Sequence, residues 1–94
     1  MLYQTYRRNN LADLTSMKNI GKELSTKLNS VGINSAEDLI ELGSKQAFWR
    51  LKIKHPNVCL VHLYTLEGAI QGINFNSLSV DKKKELKEFS DSLK

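Results

Sequence analysis

A short turn, Asn19-Ile20-Gly21-Lys22, carries the residues of this chain that are best suited to binding an anion. An apolar residue, a glycine and a lysine stand there between two amphipathic runs, which is the pattern of a helix-hairpin-helix. A helix that begins at such a glycine presents backbone N–H groups with no partner inside the helix, and the helix dipole adds partial positive charge there. The pattern therefore predicts contact with a phosphate of a nucleic-acid backbone.

The turn departs from the strongest DNA-binding form of this motif, which reads glycine, apolar residue, glycine. Asn19 stands at the first glycine position, and asparagine tolerates a left-handed backbone better than other non-glycine residues, so the turn can still form. Two interpretations stay open. In the first, the N–H groups of Gly21 and Lys22 hold a phosphate while Lys18 and Lys22 add charge. In the second, Ile20 fills the core and Gly21 lets two helices cross closely.

A second basic segment follows the turn. No acidic residue lies between positions 42 and 66, and the cations of this segment are Lys45, Arg50, Lys52 and Lys54. Of these, Lys45 completes the predicted nucleic-acid surface, whose members are Lys18, Asn19, Gly21, Lys22 and Lys45. A contiguous basic face joining the lysines of this set would support nucleic-acid binding.

Trp49 falls about one helical step outside the apolar stripe formed by its neighbours Phe48 and Leu51. Trp49 is either a partly exposed residue that stacks on a base or, together with Arg50, binds a partner, or a residue that covers the edge of a small core. Exposed apolar area around Trp49 would support a protein partner.

The remaining reactive residues do not form a catalytic or metal-binding pattern. Cys59 is alone, and His55 and His62 are seven positions apart, so the two histidines do not share a helix face. Glu67 is a lone carboxylate in the most apolar helix, where we expect it to accept hydrogen bonds from a helix N-terminus or to pair with Arg50. The sequence therefore predicts no enzyme, no cofactor and no metal.

Length and composition place the chain among small globular proteins. Its 94 residues suit one domain, and its net charge of +4 is compatible with nucleic acid without requiring it. A single cysteine suits a reducing compartment, the N-terminus lacks the apolar region of a signal peptide, and no apolar run approaches the roughly 20 residues of a membrane span. We expect a soluble, cytoplasmic protein with no membrane partner.

Helical spacing dominates the chain, and strand patterns are scarce. The predicted fold is all-α, a compact bundle of five to six short helices with the helix-hairpin-helix in its N-terminal half. Residues 1–10 read as a polar arm and residues 11–94 as one helical domain. The predicted helices span about 11–17, 21–31, 36–42, 45–54, 58–71 and 80–93.

Specific residues position these helices. Ser35, Ser44 and Ser79 are predicted N-caps, and Leu39, Ile40 and Leu42 are predicted to form the apolar edge of the third helix. Gly68 and Gly72, one turn apart, are predicted to admit a neighbouring helix closely. Gly43-Ser44 either begins a second, degenerate hairpin or forms an ordinary corner between helices.

From Leu14 onward the chain resembles the C-terminal domain of the TfoX/Sxy family, bacterial proteins associated with competence. The resembling pieces are Asn19-Ile-Gly21, Val31-Gly-Ile33, Glu37-Asp-Leu39, Leu42-Gly-Ser44, Phe48, Arg50-Leu51, Leu63-Tyr-Thr-Leu-Glu-Gly-Ala-Ile-Gln-Gly72, Asn76 and Leu78. The resemblance implies an all-α domain like a helix-hairpin-helix and a link to transcriptional regulation of DNA uptake. Family members often carry an α/β domain before this one, whereas here about ten residues precede the helices, so we expect a stand-alone domain.

The expected function is that of a small, non-enzymatic regulatory module that binds nucleic-acid backbone weakly and without sequence preference. The alternative is a protein–protein interaction module in a competence or transcription pathway, in which the hairpin is purely structural. The sequence assigns neither the oligomeric state nor the regulated genes.

Overall fold

The computed structural model describes residues 11–94, and all regular structure within that range is helical. The five α-helices are α1 (Lys22–Ser30), α2 (Ala36–Leu42), α3 (Ser44–Lys54), α4 (Leu60–Gln71) and α5 (Val80–Ser92). Two 3₁₀ turns, Leu14–Ser16 and Phe75–Ser77, precede α1 and α5. The predicted all-α bundle is confirmed, and the predicted polar arm lies outside the described residues.

Helix α4 lies at the centre of the bundle, in contact with α3, α5 and the second 3₁₀ turn. Leu63, Leu66 and Ala69 follow one another at intervals of three residues on one side of α4, and all three are buried. A fully buried leucine stabilises the fold by about 1.5–3 kcal/mol relative to an exposed one. The core around α4 is completed by Leu14, Ile20, Leu28, Ile33, Leu39, Ala47, Phe48, Leu51, Val58, Leu78 and Leu86.

Two helices begin at the serines that the sequence predicts as caps. The Ser35 hydroxyl accepts the Asp38 N–H at 3.1 Å, and the Ser79 hydroxyl accepts the Lys82 N–H at 3.0 Å. Each such cap is worth about 1 kcal/mol. The Asp38 carboxylate in turn accepts the N–H of Asn34, one residue before the cap.

The segment before the turn of residues 19–22 is a single 3₁₀ turn, not the α-helix of about 11–17 that the sequence predicts, so the first helix of the predicted helix-hairpin-helix does not form as an α-helix. Long-range bonds explain the difference: the Ala12 N–H donates to the Glu37 carboxylate at 3.0 Å, and the Ala12 carbonyl accepts the Ala36 N–H at 2.9 Å. These bonds tie the backbone around Ala12 to the start of α2. Leu14 is still buried, so the segment keeps its predicted apolar anchor.

Ser44 does not cap α3, which corrects the sequence-based prediction. Gly43 takes the N-cap position with φ +89°, a backbone conformation that favours glycine, and Ser44 is the first residue of the helix. The Ser44 residue is buried, and its hydroxyl donates to the Glu67 carboxylate at 2.6 Å. A buried hydroxyl must be hydrogen-bonded, and here the partner comes from α4 rather than from the α3 backbone.

Two further predictions change in the structure. Ile40 is 53% exposed, so it does not belong to the apolar edge of α2. Of the adjacent residues Leu39 and Ile40, Leu39 faces the core and is fully buried. No other segment packs closely against Gly72, since a Cβ added there would meet no atom within 4 Å. The role of Gly72 is instead to end α4, which it does with a left-handed backbone (φ +74°). Gly68 does admit a close approach, but from the Asn19 side chain and the chain after α4 and not from a neighbouring helix as predicted.

No helix within residues 11–94 is both long enough and apolar enough to cross a bilayer.

Candidate nucleic-acid interface

The N-terminus of α1 is open to solvent. Gly21 is its N-cap residue, with an extended backbone (φ −93°, ψ −176°), and no side chain accepts the first N–H groups of the helix. A Cβ added at Gly21 would meet nothing within 4 Å, so packing inside the domain does not require glycine here. The close helix crossing that would explain Gly21 structurally is therefore not observed.

Ile20 and Asn19 anchor the turn to the rest of the domain. Ile20 is 5% exposed and belongs to the core, as the structural interpretation of the turn expects. Asn19 adopts the left-handed backbone (φ +74°) predicted for it. Its side-chain amide points inward and donates to the Ile73 carbonyl at 2.9 Å, with the Thr65 carbonyl 3.5 Å away. The Asn19 side chain is thereby held against α4, away from a phosphate approaching Gly21.

Gly68 provides the space that Asn19 occupies. A Cβ at Gly68 would lie 2.6 Å from the Asn19 amide nitrogen, 2.9 Å from the Ile73 carbonyl oxygen and 3.1 Å from the Cα of Phe75. These distances are shorter than van der Waals contact, so only glycine lets the turn and the chain after α4 approach this closely. The glycine near the centre of α4 thus positions the candidate phosphate site.

Lys18 and Lys22 flank the open helix end. Both residues are exposed, and neither ammonium group forms an ion pair or hydrogen bond within residues 11–94. One acid lies nearby: Glu23, in the first turn of α1, is 3.8 Å from the Lys27 ammonium. Within the part of the chain that the structure describes, the turn therefore presents two cations without a carboxylate partner beside a helix N-terminus without a side-chain cap.

Lys45 does not share this environment. Its ammonium lies 2.7 Å from the Glu85 carboxylate on α5 and 5.8 Å from the centre of the Phe89 ring. The hydrogen bonds from Lys45 and then Lys82 lower the pKa of Glu85. Because its charge is compensated inside the domain, Lys45 does not extend the basic surface of Lys18 and Lys22.

The corner at Gly43-Ser44 is unsuited to an anion. The Glu67 carboxylate accepts the Ser44 hydroxyl and the Gln71 side-chain amide, at 2.6 and 2.7 Å, and the groove beside it is also lined by Glu85. A phosphate entering there would meet two carboxylates, so the corner is an ordinary helix junction. Glu67 therefore bonds to the start of α3, one of its two expected partners, while Arg50 donates to the Val31 carbonyl.

Trp49 is 46% exposed on the outer side of α3. Ile53, one turn later, is 64% exposed, so the two side chains form an apolar pair at the surface. Sequence reasoning singled out Trp49 and Arg50 but missed Ile53. The spacing of four residues from Trp49 was the signal that could have identified it.

Cys59 and His62 serve the start of α4. The His62 Nδ1 accepts the Cys59 backbone N–H at 3.0 Å, and the Cys59 sulfur lies 3.6 Å from the same nitrogen. Within residues 11–94, no three histidine, cysteine, aspartate or glutamate side chains group closely enough to hold a metal ion.

Known proteins resemble this chain over most of its length. Residues 8–90 match the TfoX C-terminal domain. Protein Sxy of Escherichia coli strain K12 is 37% identical over 86 residues; the alignment covers 92% of this chain but 41% of the longer relative. An uncharacterized protein from Listeria monocytogenes, in a triclinic crystal form, superposes with a TM-score of 0.85 at 45% identity, covering 87% of this chain and 93% of the other.

A tetragonal form from the same organism, a protein of unknown function, gives a TM-score of 0.85 at 44% identity and covers 87% of this chain and all of the other. The match to the domain model spans more than four fifths of the sequence, and the solved relatives share the fold at substantial identity. The chain thus belongs to the TfoX C-terminal domain family, the family of the TfoX/Sxy competence regulators.

Proposed function

We propose that this domain is a non-enzymatic regulatory module that binds nucleic-acid backbone weakly, through the turn formed by residues 18–22. The observation that carries the proposal is Gly21: it caps an open helix N-terminus, yet nothing in the packing of the domain requires a glycine there. A residue without a polar side chain at this position provides no cap within the domain, so the first N–H groups of α1 remain available to an external anion.

The chemistry of the turn limits what it binds. Backbone N–H groups and the ammonium groups of Lys18 and Lys22 recognise phosphate oxygens, which carry no sequence information. The surface reaches few phosphates, because Lys45 is paired with Glu85 and Glu23 adds an opposing charge. Binding is therefore weak, independent of sequence and steeply dependent on salt.

Substitution of Gly21 by Asp tests the proposal without loss of the fold. Aspartate is a favourable N-cap residue, so Gly21→Asp raises helix stability by a few tenths of a kcal/mol while placing a negative charge on the phosphate site. We expect binding to a labelled DNA duplex, measured by fluorescence anisotropy at low salt, to fall below detection.

Gly21→Ala is the matched control, because a methyl group fits in the open space and leaves the N–H groups free. We expect Gly21→Ala to retain binding within about twofold, since it changes neither charge nor donors. If Gly21→Asp is folded and binds DNA as the wild type does, the turn is not the site.

A protein-interaction role in the same regulatory setting is the second candidate function. The exposed pair of Trp49 and Ile53 favours it, because two large apolar side chains on one helix face are typical of a contact with another protein. In that case the hairpin turn is a structural element, anchored by Ile20 and Asn19.

A further inference from the structure

Helix α3 has a second face that the fold does not use. Gln46, Trp49, Arg50 and Ile53 follow the spacing i, i+3, i+4 and i+7, so they share one side of the helix, and all four are exposed. We call these four residues the outer face of α3. The opposite side, with Ala47, Phe48 and Leu51, is completely buried. The apolar pair lies in the C-terminal half of this stripe, and exposed apolar side chains one turn apart are the arrangement by which helices pack against one another.

The charged residues of α3 itself all have the same sign, and the nearby acids are Asp38 and Glu41 of α2, which line a cavity together with Arg50. Helix α3 contains four cations and no acid. Of these four cations of α3, only Lys45 is paired with a carboxylate within residues 11–94. The remaining three cations donate to backbone carbonyls, which orient their side chains but do not neutralise their charge: Arg50 to Val31, Lys52 to Val58 and Lys54 to Ser30.

From this combination we infer that the outer face of α3 binds an acidic amphipathic helix of another protein. Trp49 and Ile53 contact the apolar stripe of that helix, and the cations of α3 pair with its carboxylates. This inference rests on the second candidate function, the protein-interaction role, and states which kind of protein segment would be bound. It does not depend on whether the turn binds nucleic acid.

Two other occupants fit the surface less well. A second copy of this chain would bring Arg50 and Lys54 against the same cations of its partner, and like charges across an interface oppose association. Nucleic acid would use Trp49 for stacking, but it offers no apolar stripe to cover Ile53, an aliphatic side chain that is 64% exposed. An acidic amphipathic helix would both cover the apolar pair and place carboxylates beside the cations of α3.

The outer face also has the residue types that concentrate binding energy. Tryptophan and arginine are enriched among the side chains whose removal costs a protein interface most, and Trp49 and Arg50 are adjacent here. Trp49 is in addition the only tryptophan of the chain, so its fluorescence reports on this surface alone.

A pair of designed peptides tests the inference. Both are helical and share one leucine stripe, but one carries glutamates and the other lysines at every position beside the stripe. We expect the glutamate peptide to bind saturably, to shift Trp49 emission to shorter wavelength and to shield it from acrylamide. The lysine peptide should produce neither change.

Two variants locate the contact. Ile53→Ser is expected to weaken binding of the glutamate peptide about tenfold, as for removal of a central interface side chain. Val80→Ser is the matched control, because Val80 is also β-branched and exposed in a helix but lies on α5, and it should bind as the wild type does.

Several results would overturn the inference: no binding of the glutamate peptide to the folded protein, equal binding of both peptides, shielding of Trp49 by a DNA duplex, or concentration-dependent dimerisation that shields Trp49. The Gly21→Asp variant separates the two proposals. It should lose DNA and keep the peptide, whereas Ile53→Ser should lose the peptide and keep DNA.

Discussion

Gly68→Ala should destabilise the domain by about 1–3 kcal/mol, as expected for an added methyl group in a packed site. The sign is opposite to the usual one, since replacing a glycine inside a helix by alanine normally gains about 1 kcal/mol. Here the new Cβ would lie 2.6 Å from the Asn19 amide nitrogen and 2.9 Å from the Ile73 carbonyl oxygen. Either the Asn19 side chain leaves its hydrogen bond with Ile73, or the chain after α4 shifts. Urea unfolding followed by circular dichroism measures the change.

A double variant identifies the cause of this loss. Asn19→Gly keeps the left-handed backbone and removes the amide that Gly68→Ala would strike. We expect Gly68→Ala to cost less in the Asn19→Gly background than in the wild type, with part of the cost retained because backbone atoms of Ile73 and Phe75 remain close. A Gly68→Ala variant as stable as the wild type would show that the turn is not packed against α4 in this way.

The double variant Lys18→Glu/Lys22→Glu reverses the charge at both lysines of the turn. It should weaken binding to duplex DNA at least about tenfold at low salt, because two attractive contacts with phosphates become repulsive. The fold should be unaffected, since both side chains are exposed and neither forms an ion pair or a side-chain hydrogen bond within residues 11–94. Fluorescence anisotropy measures the affinity, and thermal unfolding checks stability.

The control for this variant must carry the same net charge. Each reversal changes the charge by −2, so two of them take the chain from +4 to 0. Lys84→Glu with Lys94→Glu makes the same change on and just after α5, far along the chain from the turn. We expect this control to retain most of the affinity. Equal losses in both double variants would mean that DNA responds to net charge and not to the turn.

The elements that the sequence predicts well are those set by local chemistry. Ser35 and Ser79 cap their helices because a serine beside free N–H groups needs no distant partner. The left-handed backbone of Asn19 and the central position of α4 likewise follow from residue type and from apolar content. Membership of the TfoX C-terminal domain family, suggested by motifs spread along the chain, is confirmed.

Contacts between distant residues account for what the sequence did not reveal. The bonds of Ala12 to the start of α2 replace the first predicted helix by a 3₁₀ turn. The pairing of Lys45 with Glu85, forty positions later, removes one lysine from the predicted basic face. The link from Asn19 to Gly68 joins the candidate site to α4. Periodicity and residue type describe one segment at a time, so they cannot show which segments meet.

The turn and the outer face of α3 are separate candidate surfaces on one small domain. The first presents backbone donors and two lysines that form no ion pair within residues 11–94, and the second presents an apolar pair on a helix whose charged residues are all cations. A regulatory domain with both would bring an acidic protein segment to nucleic acid. The variants at Gly21 and Ile53 allow each surface to be removed without the other.

The salt dependence of DNA binding tests the central proposal most directly. The measurement is the affinity of the wild-type domain for labelled duplex and single-stranded DNA, by fluorescence anisotropy, across a series of salt concentrations. We expect log K to fall linearly with log salt, with a slope of about −2 to −3 for the duplex, as when two or three phosphates are neutralised. Absence of binding at the lowest salt, with the fold intact, or an affinity that does not change with salt, would contradict the assignment of the turn as a phosphate-binding site.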